Sequence, residues 1–287
     1  MERSLRYRLT LGPLMILGIA AIMVFDYVIQ AKFGIKGVGV LAMLLAVLPM
    51  GAFELATLIA NKQAAPYRFI VNSAIAALLL HAFCTQWPAF EQIGASTLAF
   101  IVVGVVFFAA MRLAVHRRIE DSIQVMAGTL LATLYLGGLG WFLVALRVKT
   151  GAHFEGTTMT AVMILLTVKF TDIGAFFGGR ALGRHKLIPW LSPGKTWEGL
   201  ICGMLTAGAA GAACSRFMPH LSWGKAAIFG VIIGGIGQMG DLLESMMKRD
   251  AQVKDSSSMI PGFGGVLDIT DSPLLAAPFA YLLFSLF

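Results

Sequence analysis

The chain has 287 residues, 58% of them hydrophobic and 13% charged, with a mean hydropathy of +0.81. Soluble domains run about 45–50% apolar and about 25% charged, so a soluble enzyme is excluded, as is a disordered or nucleic-acid-coating chain. A formal charge of +7 in so apolar a chain points to basic loops beside anionic lipid, with no nucleic-acid partner. These figures describe an all-α, multi-pass membrane protein. A helix needs about 20 mostly apolar residues to cross the hydrocarbon core. Nine such runs follow one another, at about 10–30, 37–59, 68–86, 95–112, 124–146, 157–178, 199–218, 225–243 and 267–287. Arg3, Arg6 and Arg8 precede the first, which reads as an uncleaved signal anchor because no small-x-small cleavage site follows. The second and fifth runs are the cleanest; the sixth, eighth and ninth carry ionisable groups. Of the 22 basic residues, fifteen lie in segments on the N-terminal side of the bundle and six in the opposite loops, which sets the N-terminus in the cytoplasm. Cys84, Cys202 and Cys214 stand apart with no C-x-x-C spacing, so neither a disulfide framework nor a zinc site is expected.

The carboxylates divide the chain. Glu2, Asp26, Glu54, Glu91, Glu120, Asp121 and Glu155 sit mostly at span ends or in loops of residues 1–156, where solvated or snorkelling groups are ordinary. Glu54, near the inner end of the second run, is kept apart as a further candidate. Asp172, Glu198, Asp241, Glu244, Asp250, Asp255, Asp268 and Asp271 all belong to the sixth run or to the segments 179–198 and 244–266 with their flanking helix ends. The polar chemistry thus gathers on the cytoplasmic side of the C-terminal half. This divides the sequence into a scaffold of five runs, 1–156, and a catalytic membrane region, 157–287, with no soluble domain boundary.

Asp172 lies inside an apolar run, TVKFTDIGAFFGG, where a carboxylate is costly unless it faces water, a cation or a partner. An i,i+3 pair with Lys169 would also satisfy it. The small-xxx-small spacings Gly174/Gly178, Gly179/Gly183 and Gly230/Gly234 suit close helix packing and would permit a homodimer. In SPGKTWEG the G-K-T is not a phosphate-binding P-loop, because Pro189 stands where its first glycine belongs and no buried strand precedes it. A Pro/Gly turn is expected there, presenting Ser192, Lys195 and Thr196 at the cytoplasmic face. A lysine with neighbouring hydroxyls can hold a phosphate. A positive-inside loop would account for the lysine equally.

The richest stretch runs from Gly237 to Ser272. Asp241, Glu244, Ser245 and Lys248 recur at i, i+3, i+4 and i+7, one face of a helix. After a polar turn comes Pro261-Gly262-Phe263-Gly264-Gly265, then a helix bearing Asp268 and Asp271. A glycine-rich turn entering a helix offers free backbone N–H groups to an anion, although acidic residues in a first turn also suit the helix dipole. Several aspartates beside Lys248, Arg249 and Lys254 are a more specific combination. Oxygen ligands select a hard cation such as Mg²⁺, which bridges to substrate phosphates. The residues point to nucleoside-triphosphate or pyrophosphate chemistry at a membrane face.

At these residues the chain resembles the phosphatidate cytidylyltransferase (CDP-diacylglycerol synthase) family. The C-terminal signature of that family is matched by Ser245, Lys248, Arg249, Lys254, Asp255, Ser257, Ile260, Pro261, Gly262, Gly264, Gly265, Asp268 and Asp271. Its upstream pattern is matched by Asp172, Gly174, Ala175, Gly179, Arg180, Ser192, Pro193, Lys195, Thr196, Trp197, Glu198 and Gly199. The motifs cover the C-terminal part of the chain, and the N-terminal half agrees only in hydrophobic character. Two positions depart from the pattern: Phe263 stands in place of histidine and Ile269 in place of arginine.

The resemblance implies a reaction of CTP with phosphatidate that gives CDP-diacylglycerol and pyrophosphate at the cytoplasmic side of the inner cell membrane. It implies Mg²⁺, with room for a second cation, on Asp241 and Asp268 with support from Asp271 and Asp172. Lys195, Lys248, Arg249 and Lys254 would hold the triphosphate and pyrophosphate together with Ser192 and Thr196, and the Gly262, Gly264 and Gly265 backbone would approach them. An alternative from the same chemistry is a CTP-dependent lipid kinase acting on a polyprenol-type alcohol. One from another class is an ion-coupled transporter using Lys169 and Asp172, against which the absence of an internal repeat counts.

Overall fold

The computed structural model describes residues 2–61, 65–117, 119–149 and 157–287. Lys62, Arg118, Glu155 and the expected boundary at residue 156 lie outside the described residues, as do the side chains of Glu2, Arg3, Arg6, Arg8 and Glu91. The chain forms two compact units. Met1–Lys149 and Ala251–Ile269 make the first, and Thr150–Asp250 and Thr270–Phe287 the second.

The first unit contains α1 (Glu2–Phe33), α2 (Val38–Ala60), α3 (Arg68–Cys84) and α4 (Pro88–Val115). These are followed by α5 (Ser122–Ala132), a π-helical turn (Thr133–Gly138) and α6 (Leu139–Val148), which together form one span. Among the described residues of the chain, eight helices are long and apolar enough to cross a membrane, and α3 is a shorter apolar helix. Each of the nine expected runs falls on helix among the described residues, but the third, α3, is shorter than the span length expected of it. Pro88 opens α4 well before its apolar run, because a proline at the first helical position lacks only an N–H that would have had no helical partner. The core is built from Leu48, Leu55, Ile75, Leu78, Leu79 and Leu136, all almost fully buried.

Two ionisable groups here differ from their expected solvated or loop positions. Asp26 and Arg147 are fully buried and form an ion pair. The Gly39 N–H donates to Asp26 Oδ1 at 2.9 Å, and the Arg147 guanidinium donates to Gln30 Oε1 at 2.7 Å. A carboxylate and a guanidinium can leave water together only when their donors and acceptors are met in this way. Such a pairing across the sequence leaves no trace in either residue's neighbourhood.

The second unit contains α7 (Thr158–Leu182), a hairpin of β1 (Lys186–Ile188) and β2 (Ser192–Thr196), α8 (Trp197–Cys214), α9 (Trp223–Asp250) and most of α10 (Leu267–Leu286). Thr157 and Thr160 close the start of α7 with reciprocal 3.3 Å bonds, a capping box. Glycines bring α7, α8 and α9 together. A Cβ at Gly174 would fall on the Thr206 hydroxyl, one at Gly178 on Cys202, one at Gly211 on the Ala226 carbonyl and one at Gly230 on the Ala207 carbonyl. The expected role of these spacings is thus met inside one chain, and a homodimer would have to use other faces. SPGKT is not a free turn. It forms the second strand of the hairpin, pairing Ser192 with Ile188 and Thr196 with Lys186, and the chain reverses at Pro189.

Candidate active site

The eighth expected run ends in a face of polar residues that α9 carries through to Asp250. Gln238, Asp241, Glu244 and Lys248 recur on it at helical spacing. Gly240 lets α10 approach: a Cβ there would meet the Asp271 carbonyl at 2.9 Å and Ser272 Cα at 3.0 Å. The result is a cluster in which oxygens of Asp241, Glu244 and Asp271 lie within 4.8 Å of one another. Glu244 and Asp271 are buried, and Asp241 is partly open.

Two lysines face these carboxylates. Lys195 Nζ lies 2.6 Å from Asp241 Oδ2 and donates to the Gln238 carbonyl at 3.4 Å. Lys248 Nζ lies 2.9 Å from Glu244 Oε2. Asp271 Oδ1 accepts from the Ser272 N–H at 2.6 Å. Asp172 pairs with Lys169 at 3.6 Å, as the i,i+3 spacing allowed, and also accepts from Gln238 Nε2 at 2.9 Å. Four carboxylates, two of them buried, thus stand among three lysines, and like charge so close together favours any added cation. Carboxylate oxygen is what a hard divalent ion takes, so the donor set fits Mg²⁺.

Two of the remaining upstream residues, Thr196 and Glu198, make bonds within the hairpin and α8. Thr196 caps α8, its Oγ1 accepting from the Gly199 N–H at 3.1 Å. Glu198 accepts from the His185 ring at 2.6 Å and from the Arg184 and His185 backbone N–H groups, which ties the hairpin to α8. Ser192 is half-buried in β2, and Arg249 is exposed at the end of α9.

The glycine-rich turn belongs to the first unit. Gly262 and Gly264 adopt the left-handed region at φ 86° and 97°, which a side chain would strain. The Ile260 N–H donates to the Gly264 carbonyl at 2.8 Å, and the Ile260 carbonyl accepts from Phe263 and Gly264, both at 3.0 Å. Asp268 Oδ2 accepts from Gly265 N–H at 2.7 Å, Ser256 N–H at 3.2 Å and Ser256 Oγ at 2.8 Å. Val266 and Leu267 donate their N–H groups to Glu54 at 3.0 and 2.8 Å. The free backbone N–H groups expected for an anion are therefore not free from Phe263 to Leu267; the Ile260 carbonyl and the carboxylates of Asp268 and Glu54 already accept from them. A cavity of about 320 Å³ adjoins the turn, lined by Lys254, Asp255, Ser257, Pro261, Gly262 and Phe263 among others, and Lys254 is exposed. The Phe263 ring, at the family's histidine position, rests against α1 at Gly12.

Sequence reasoning placed Glu244 on the right helix face but not in the ligand set, and it missed Gln238 altogether. The i,i+3 spacing from Asp241 to Glu244, and from Gln238 to Asp241, was the available signal. It also read Glu54 as a reserve candidate only, although this carboxylate is 2% exposed and lies within hydrogen-bond distance of four donors.

Known proteins share part of this sequence. A phosphatidate cytidylyltransferase of Haemophilus influenzae is 46% identical over 121 residues, 40% of this chain and 42% of that protein. One of Brucella suis is 36% identical over 168 residues, 55% of this chain and 62% of that protein. Phosphatidate cytidylyltransferase 4, chloroplastic, of Arabidopsis thaliana is 35% identical over 204 residues, 63% of this chain and 51% of that protein. The chain thus spans between 42% and 62% of the length of these relatives. The sequence model of the cytidylyltransferase family extends much further, over residues 14–287, and by that match the chain belongs to the cytidylyltransferase family.

Proposed function

We propose that the protein is a Mg²⁺-dependent phosphatidate cytidylyltransferase: CTP and phosphatidate react to give CDP-diacylglycerol and pyrophosphate. The observation that carries this is the meeting of Asp241, Glu244 and Asp271 with Lys195 and Lys248, of which Lys195 comes from the upstream motif and Lys248 and Asp271 from the C-terminal one. A phosphate oxygen of phosphatidate attacks the α-phosphorus of CTP, and the bond to the β-phosphate bridging oxygen breaks. The nucleophile is already an anion at neutral pH, so a general base has little to do. Repulsion between two anions is the main barrier, and fixed positive charge with correct placement lowers it.

Asp241, Glu244 and Asp271 would hold the cation, with Asp172 supporting them through Gln238. Bound there, a divalent cation supplies charge neutralisation on the phosphates and on the departing pyrophosphate. Lys195 and Lys248, which now neutralise the carboxylates, turn to phosphate oxygens once cation and nucleotide arrive, and Arg249 adds charge from the end of α9. Lys254 and the turn at Gly262, Gly264 and Gly265 are assigned to the nucleotide on the motif that they match, with Asp268 serving through the turn. Acyl chains stay in lipid beside the helices, which is why such a transferase is built of membrane spans. The protein would lie in the inner cell membrane with its N-terminus in the cytoplasm, the orientation that the basic residues favour.

The test uses purified protein in detergent with phosphatidate, Mg²⁺ and CTP carrying a radioactive α-phosphate. Label is expected in the lipid phase, dependent on both Mg²⁺ and phosphatidate, with pyrophosphate released. Label leaving as aqueous CDP would instead establish a lipid kinase. Intact CTP in a folded sample would sink both.

A further inference from the structure

We infer that Glu54 is a positioning residue for the nucleotide step, acting as a built-in anion at the N-terminus of α10. The inference rests on the cytidylyl-transfer reading. Glu54 comes from α2, far from either motif, yet its carboxylate occupies the place that a helix N-terminus offers to a phosphate. Oε1 accepts from the Val266 N–H at 3.0 Å and from Ser257 Oγ at 2.6 Å. Oε2 accepts from the Leu267 N–H at 2.8 Å and faces Ser256 Oγ at 3.1 Å. Gly265 has no side chain because none fits: a Cβ would meet both carboxylate oxygens of Glu54 and fall on the Ser256 hydroxyl.

This pattern requires a carboxylate. Each oxygen faces one backbone N–H, so a glutamine in either flip sets its NH₂ against a donor that cannot turn away. Both of those N–H groups are held in direction by the start of the helix. Ser256 extends the clasp. Its hydroxyl lies between Glu54 and Asp268, 2.8 Å from the latter, and its single hydrogen serves one of them at a time. Glu54 therefore fixes three things together: the first turn of α10, the glycine-rich turn ahead of it and the orientation of the Asp268 carboxyl. Signature residues Ser257, Gly265 and Asp268 all touch this clasp, directly or through Ser256, although Glu54 itself belongs to no motif.

The experiment compares wild type, Glu54→Gln and Glu54→Asp with Leu79→Ala, a core truncation on α3 of the same unit. Hydrogen exchange in detergent is read first. Glu54→Gln is expected to speed exchange of the amides in 256–268 while leaving α3 and α4 as in wild type. Kinetics come next, at a temperature where every variant is folded. The kcat/KM for CTP is expected to fall about tenfold or more in Glu54→Gln, the size of one unmet buried donor. Glu54→Asp keeps both acceptor oxygens and should fall between, whereas Leu79→Ala should lose melting temperature but keep its KM for CTP. Unchanged exchange in 256–268 would overturn the clasp. Loosened exchange with a wild-type KM and kcat would overturn the positioning role. Wild-type protein that makes no CDP-diacylglycerol would sink the cytidylyltransferase reading instead, and the exchange result would still decide the clasp.

Discussion

Asp241, on α9 just ahead of the C-terminal signature, and Asp268, within it, meet different surroundings. Asp241 faces two other carboxylates and Lys195. Asp268 turns one oxygen to three donors of its own turn. Exchange of carboxylate for amide separates these situations. In Asp268→Asn the amide oxygen can take over the three hydrogen bonds, whereas Asp241→Asn removes charge from the cluster outright. Asp241→Asn is expected to lower kcat by about 10²-fold or more, the scale on which a lost electrostatic contact to the reacting phosphates is felt, and Asp268→Asn by clearly less. Equal losses in a steady-state CTP assay would place Asp268 among the ligands after all. The Asp241–Glu244–Lys248 face was legible in the sequence because helical spacing alone creates it. The fate of the N–H groups from Phe263 to Leu267 was not. Turn composition announces where backbone donors are exposed, but Glu54, whose partners lie 202 to 213 positions away, decides whether they stay so.

At the level of elements, the helices themselves were the easiest part to anticipate, since the bilayer thickness fixes their length and hydropathy marks their course. What hydropathy could not give is how closely they meet. The contact of α8 with α9 is backbone on backbone: Gly230 lies against the Ala207 carbonyl and Gly208. Substituting Gly230→Leu is expected to push these helices apart and lower stability by at least about 1–3 kcal/mol, the cost of forced overpacking. Gly224, on the same helix, has open space where a Cβ would stand, so Gly224→Leu should melt as wild type does. Fluorescence-detected melting in detergent reads the difference. The hairpin before α8 is a further lesson. Ser192–Thr196 was expected to be a turn because Pro and Gly dominate it, yet three residues of β1 suffice to pair with it, and Thr196 then caps the helix that follows.

For the molecule as a whole, the two units interlace along the chain, since Ala251–Ile269 belongs with Met1–Lys149 and the chain then returns to complete the second unit. Composition sees a change between halves but has no means of seeing that return. The proposed orientation makes opposite claims for two loops. With Cys84, Cys202 and Cys214 replaced by serine, a cysteine at Lys254 is expected to react with a membrane-impermeant maleimide only in inverted vesicles. One at His220, between α8 and α9, should react only in right-side-out cells. The reverse pattern would invert the topology and put the nucleotide on the wrong side.

The clasp on Glu54 also sets a timetable for biosynthesis. The carboxylate is made with α2, and its last acceptor contact, to Leu267, needs a residue 213 positions later. At translation rates of about 5–20 residues per second, that is a wait on the order of 10–40 s. Throughout it a buried acid of the finished protein has none of its partners, and the newly inserted helix must keep it near the membrane surface or in contact with insertion machinery. A chain cut short before Ser256 leaves that acid without any of its four donors. A chain that has reached Leu267 thus differs chemically, at its second helix, from one that has not.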